Sequence, residues 1–141
     1  MYDTILAPTD GSDQADAAID YAAKLAAAHD ATLHLLYVAD TNRDSVTMLG
    51  TEVVDALEHE GERIIEKAAD RIAPHVDIVD AVETGDPVDT ILNYADVVDA
   101  DLIVMGTQGR RGLDRYLLGS TTERVVRLSD IPVLTLQGDE S

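Results

Sequence analysis

Three glycines, Gly106, Gly109 and Gly119, bracket a segment that runs into Ser120 and Thr121, where Ser120-Thr121-Thr122-Glu123 matches the capping pattern that opens a helix. Glycine lets a backbone approach phosphate oxygens without a Cβ in the way, and the amides at a helix N-terminus favour an anion. The same stretch is the basic island of the chain. From Gly106 to Ser129, Arg110, Arg111, Arg115, Arg124 and Arg127 stand against Asp114 and Glu123, a balance of +3 in a chain of −18, which leaves −21 for the remainder. Arginine is always charged and matches phosphate geometry, so an anionic ligand accounts for the coincidence of glycines and arginines. Any one of these arginines alone is better explained by pairing with the acids of a neighbouring helix; the cluster is better explained by the ligand. A second cluster, Pro8-Thr9-Asp10-Gly11-Ser12, combines turn formers with a carboxylate. Beside phosphates Asp10 is repulsive unless a cation bridges them, so a functional Asp10 implies Mg²⁺ or Mn²⁺; its alternative role is to cap the first helix.

The elements that must position these loops follow from apolar periodicity. Tyr2 to Ala7 reads as a buried strand, and Ala15, Ile19, Ala22, Ala23 and Ala26 fall on one face of a helix with Ser12 or Asp13 as its cap. Ala31 to Val38 is a second buried strand. Leu49, Val53, Ala56, Leu57, Ile64, Ala68 and Ile72 keep helical spacing from Val46 onward, and Pro74 stops them. Val76 to Val82 alternates only in part, which predicts an edge strand closed by Glu83-Thr84-Gly85. Asp86-Pro87 starts a third helix that runs to about Val98, because Asp caps free amides and proline at the first helical position loses no hydrogen bond. Leu102 to Met105 is a fourth strand ending at Gly106, a helix follows Ser120, and Ile131 to Leu136 is the last strand. The order βαβαβαβαβ predicts an open five-stranded parallel sheet with helices on both faces, joined by right-handed crossovers. In such a sheet ligands bind beyond the carboxyl ends of the strands where strand order reverses, so the loops after the first and fourth strands share a crevice if those strands are neighbours.

Composition narrows the class further. The 141 residues are 45% hydrophobic, enough for one domain spanning 1–141. With no Cys, disulfide scaffolds, thiolate metal cages and cysteine nucleophiles are excluded. No apolar run approaches the roughly 18 residues of a membrane span and the start has no basic leader, so a cytoplasmic protein is expected. A net charge of −18 argues against nucleic acid, itself a polyanion, as partner. The acids are mostly Asp, and Lys24 and Lys67 are the only lysines, a bias that suggests a salt-adapted cytoplasm. Aromatics are only 4% of the chain, so the core must be aliphatic.

The sequence contains no G-x-x-x-x-G-K-[ST], G-x-G-x-x-G, H-E-x-x-H or nucleophile elbow, which argues against an ordinary P-loop NTPase, a dinucleotide dehydrogenase, a zinc hydrolase and a serine esterase. His29, His34, His59 and His75 are scattered, and none is assigned a role.

Gly106-Thr107-Gln108-Gly109, nine further residues, then Gly119-Ser120 fits G-x2-G-x9-G-[ST], and in this the chain resembles the ATP-binding branch of the universal stress protein family. The opening Ile5-Leu6-Ala7-Pro8-Thr9-Asp10-Gly11-Ser12 and the closing Ile131-Pro132-Val133-Leu134-Thr135-Leu136 resemble the family's first strand and turn and its last strand. The resemblance implies a Rossmann-like, adenine-nucleotide α-hydrolase-like fold with strand order 3-2-1-4-5, and ATP with Mg²⁺ or Mn²⁺ as the ligand. Residue by residue, it implies phosphate contacts from Gly106, Gly109, Gly119, Ser120 and the Thr121 backbone. Asp10 would stand near the ribose and metal, the Val38 backbone at adenine, and Pro8 and Thr9 as walls of the nucleotide. Arg110 joins this set on its charge alone. The resemblance also implies a homodimer through Ile131 to Leu136, an apolar strand expected at a sheet edge with Pro132 where no ladder amide is needed.

Two functions of different class remain open at this level. One is an ATP-binding stress regulator with little or no hydrolysis, since no residue besides Asp10 could position a water. The other is a dimeric stress scaffold that binds no nucleotide, against which the complete glycine spacing counts. An ATP-using ligase is less well matched, because Thr9-Asp10-Gly11-Ser12-Asp13 is a poor phosphate loop and the chain leaves no room for a second-substrate domain.

Overall fold

The backbone order is β1 (Thr4–Thr9), α1 (Asp13–His29), β2 (Thr32–Asp40), α2 (Thr51–Asp70), β3 (Asp77–Gly85), α3 (Pro87–Val97), β4 (Leu102–Gly106), α4 (Ser120–Leu128) and β5 (Val133–Leu136). The computed structural model describes residues 2–40, 51–107 and 120–136. All four strand pairings are parallel, and the sheet order is β3-β2-β1-β4-β5, as expected. The order reverses between β1 and β4, where the chain leaves one half of the sheet and begins the other.

Two aliphatic layers enclose the sheet. Ile5, Ala7, Leu33, Leu35, Leu102 and Val104 pack against the small residues of α1 and against Ile65 and Ala68 of α2. On the opposite face Leu6, Leu36, Ile103 and Met105 pack against Val88, Ile91 and Ala95 of α3 and Val125 of α4. The buried positions of α1, Ala15, Ala18, Ile19, Ala22 and Ala26, are mostly alanine, which brings this helix close to the sheet.

Caps explain where the helices begin. The Ser12 hydroxyl accepts from the Ala15 amide at 3.1 Å and caps α1, and the Asp86 carboxylate accepts from the Asp89 amide at 3.0 Å with Pro87 in the first turn of α3. At the amino edge of the sheet Asp101 ties β4 to β1. Its carboxylate accepts from the amides of Asp3 and Thr4 at 2.8 and 2.9 Å, and its own amide donates to the Thr4 carbonyl at 2.8 Å.

Some boundaries differ from those predicted. The expected start of the second helix at Val46 lies outside the described residues, and its last regular residue is Asp70, with Arg71 and Ile72 continuing in a tighter turn through bonds to the carbonyls of Ala68 and Ala69. β3 is an edge strand, as its weak alternation implied, but Glu83-Thr84-Gly85 extends it instead of closing it, because each pairs with β2 as far as Asp40↔Gly85. β5 begins at Val133; before it the Pro132 carbonyl accepts from the Ile103 amide, so proline joins the sheet through its acceptor alone.

Candidate functional site

The site begins where β1 and β4 part. β1 pairs with β2 along its whole length, Thr4 to Thr9, yet its ladder with β4 joins only Ile5 to Leu102 and Leu6 to Ile103. Beyond those pairs the two strands run on to Thr9 and Gly106, and their carboxyl ends lie at the point of order reversal, where ligands bind in open sheets of this kind.

On the β1 side a tight turn presents Asp10. The Thr9 hydroxyl accepts from the Gly11 amide at 3.0 Å and Asp10 Oδ1 accepts from the Ser12 amide at 2.9 Å. Gly11 has φ +83°, a conformation that favours glycine, and a Cβ there would lie 3.0 Å from Ile64 Cδ1 of α2, a tight contact with the tip of a side chain. Pro8 and Thr9 are buried and Asp10 is exposed. Asp10 therefore shapes the loop before α1, while Ser12, not Asp10, is the cap.

On the β4 side Gly106 lets two backbones touch. A Cβ there would come within 2.8 Å of the carbonyl carbon and oxygen of Gln14 in the first turn of α1, atoms that cannot swing aside. Thr122, in the first turn of α4, donates its hydroxyl to the Gly106 carbonyl at 2.8 Å and so seats that helix on the end of β4. Ser120 and Thr121 stand in the same turn, Ser120 exposed and Thr121 half-buried. The helix includes Ser120, and Glu123 pairs with Arg127 at 3.1 Å in place of the reciprocal bond that the capping pattern anticipates. For Arg127 the ion-pair explanation therefore holds. Gly109, Arg110 and Gly119 lie outside the described residues.

Val38 lies on β2, two positions past Leu36, the partner of Pro8, and packs against the α3 and α4 side of the core, half-buried. Pro8, Thr9, Asp10, Gly106, Ser120 and Thr121 thus gather at the carboxyl ends of β1 and β4, with Val38 one strand further out. Among the described residues no group of three or more His, Asp or Glu is arranged to hold a metal ion, so a cation at Asp10 would need further oxygens from a ligand.

Two residues of this region were not legible as functional. Thr122 reads as one more helix-start threonine, although its hydroxyl is what joins α4 to β4. Thr107, 3% exposed, donates its amide to the Leu136 carbonyl at 3.0 Å, while its hydroxyl is buried and has no partner among the described residues.

This geometry meets its counterpart in known proteins. The sequence model of the universal stress protein family matches residues 1–137. The chain belongs to the universal stress protein family. It is 33% identical over 145 residues to universal stress protein MJ0531 of Methanocaldococcus jannaschii, a match covering 97% of this chain and 83% of the relative. Among solved structures, that of protein MJ0577 is similar with a TM-score of 0.90 at 30% identity, over 100% of this chain and 99% of the other. A universal stress protein solved in complex with cAMP is similar with a TM-score of 0.77 at 32% identity, over 98% of this chain and 99% of the other. The two solved relatives share the chain's fold over 98–100% of its length.

Proposed function

We propose that this universal stress protein binds an adenine nucleotide, ATP with Mg²⁺ or Mn²⁺, between the carboxyl ends of β1 and β4 and acts as a nucleotide-dependent regulator with little or no hydrolysis. The observation that carries the reading is the parting of those two strands beyond Leu6 and Ile103, with an acidic turn on one side and a helix N-terminus on the other. The cAMP complex of a relative at 32% identity supports an adenine nucleotide as the ligand class.

In this reading Pro8 and Thr9 wall the nucleotide and the Val38 backbone meets the base. The amides of Gly106, Gly109, Gly119, Ser120 and Thr121 hold phosphates, with Arg110 adding charge. Asp10 would stand near the ribose and would help hold the cation, which would offset the negative charge of the phosphates. With the Asp10 carboxylate engaged by the turn and by a cation, little or no turnover is expected. The protein is cytoplasmic, a single domain, and a homodimer through its last strand.

Isothermal titration with ATP and Mg²⁺ in molar KCl tests the reading, run beside Gly109→Asp, which puts bulk and negative charge where phosphates belong. Saturable heat in the parent that vanishes in the variant is the expected result. Absence of binding in the parent would favour the scaffold role.

A further inference from the structure

Helix α2 carries a glycine, Gly61, at its middle. Glycine inside a helix is unfavourable relative to alanine, and here the packing demands it. A Cβ at Gly61 would run into the buried ring of Tyr37 on β2. One turn further along, Ile64 lies against the turn that presents Asp10, its Cδ1 3.0 Å from where a Cβ of Gly11 would stand. The middle of α2 thus rests on β2 and on the turn after β1.

On either side of Gly61 the helix is held differently. Gly61, Ile65 and Ala68 are buried, and Ile72 continues the series just past the helix end. Across residues 52–60 no side chain is buried, and among the described residues Leu57 alone of this half packs against the core. Glu52, Asp55 and Glu58 stand three apart, so like charges are neighbours along it and oppose the helix. A segment with so few buried apolar contacts opens at a lower free energy than the elements around it. Its place in the fold is beside the proposed site. β2 and β3 are parallel, so the helix between them runs back against the strands and its amino end points to the carboxyl end of the sheet. From Gly61 back to Thr51 the helix reaches about 15 Å, and from Tyr37 to the end of β2 at Asp40 is about 10 Å. The loosely held half therefore runs alongside the last residues of β2, Val38 among them, to the end of the sheet.

We infer that α2 consists of two units joined at Gly61: a carboxyl half fixed to the sheet, and an amino half, residues 52–60, that opens and closes beside the base position and is held closed by bound nucleotide. The inference rests on the nucleotide reading above and names how occupancy of that site is read out. A ligand shifts such an equilibrium only through groups that interact differently with its two states. In the nucleotide reading the base lies at β2 and the phosphates at β4, on the far side of β1. The base therefore carries the response, and the phosphates do not.

Residue-resolved amide hydrogen exchange, run beside calorimetric titration, tests this. The amides of residues 55–60 bond within the amino half of α2 and those of 65–70 within the carboxyl half. In the ligand-free parent the first group is expected to exchange about tenfold faster than the second, relative to unfolded-chain rates, and to share one opening equilibrium. Fraying from the helix end would instead give a gradient from residue to residue. ATP with Mg²⁺ and adenosine, each at saturation, are both expected to slow the first group about tenfold, and inorganic triphosphate to leave it unchanged. Gly61→Ala supplies a second readout. Alanine inside a helix ordinarily slows exchange, but here it is expected to speed residues 55–60 and leave 65–70 unchanged, because the added Cβ meets Tyr37 and levers the loosely held half away.

Equal exchange in the two groups, or a gradient without a step at Gly61, would overturn the division of α2. So would a Gly61→Ala variant in which both groups change together or the first group slows. Slowing by inorganic triphosphate, or none by adenosine, would overturn the assignment to the base. Saturable ATP binding with unchanged exchange would overturn the control by nucleotide and leave the nucleotide reading standing, whereas a parent that binds no ATP would overturn that reading and the control with it.

Discussion

His34 shows how a single polar residue is accommodated in a buried strand. Its Nδ1 shares a 2.8 Å hydrogen bond with the Tyr94 hydroxyl of α3, and the two rings meet edge to face with centroids 5.6 Å apart. Burial lowers the imidazole below its ordinary value of 6.5. Tyr94 is raised above 10.0, first by burial and then by the negative charge of Glu83 on β3. A histidine whose folded pKa lies below its unfolded one binds more protons when unfolded, so its contribution favours folding above pH 6.5 and is lost as pH falls toward the lower folded value. The melting temperature of the parent is therefore expected to fall more steeply between pH 7 and the pH of the folded titration than that of His34→Gln. Parallel pH profiles for the two proteins would contradict this account. None of the four histidines looked functional in the sequence, and His34 proves to be a structural one whose partner lies 60 positions away. No local pattern could have named Tyr94.

Individual hydroxyls fix the starts of two of the helices that aliphatic packing holds to the sheet. Ser12 caps α1 from within its own loop, and Thr122 fastens α4 to β4 across 16 positions of sequence. Ser12→Ala is expected to cost about 1 kcal/mol, the usual loss for a helix cap. Thr122→Val is expected to cost about the same by leaving the Gly106 carbonyl without its donor. The two differ in their consequence for ligand: only Thr122→Val frees the first turn of α4 from β4, so of the pair it alone should weaken ATP binding strongly. Thermal melts and titrations on both variants check the contrast, and equal effects on binding would contradict the role given to Thr122. The cap was readable to within one residue, Ser12 or Asp13, because both stand directly before a helical run, and the hydroxyl of Ser12 decides it. The fastening was not, because a threonine in a first helical turn looks the same whether or not a strand end lies beneath it. β3 was readable as an edge from its partial alternation, but its length was not, since Glu83-Thr84-Gly85 has turn composition and is extended only by pairing with Val38-Ala39-Asp40.

The whole molecule carries −18, and its basic residues are partly committed to local pairs such as Arg71 with Asp20 at 2.7 Å and Arg127 with Glu123 at 3.1 Å. Both pairs are exposed, so each contributes little, and the unbalanced acids repel one another over the whole surface. Salt shortens the range of that repulsion to about 3 Å at 1 M. Raising KCl from dilute buffer to the molar range is therefore expected to raise the melting temperature, and light scattering at high salt is expected to give twice the chain mass. A melting temperature that falls with salt would contradict the proposed salt adaptation, and a monomer mass the proposed homodimer. β5 is an edge strand of four half-buried residues, Val133 to Leu136, with Val126 and Leu128 exposed on the neighbouring helix α4, which is where a second copy would be covered.

By itself the sequence determined the alternation of strands and helices, the aliphatic core, the cap at Asp86, and the family, through features that recur within a few residues: apolar spacing, a cap before a helical run, glycines at set intervals. Only the tertiary structure decided where β1 and β4 separate, that Gly106 lies against the backbone of Gln14, and that among the described residues the hydroxyl of Thr107 is buried without a partner while that of Thr122 has one. Each of these depends on groups brought together from distant parts of the chain by packing on both faces of one sheet, and local periodicity carries no record of which groups those will be.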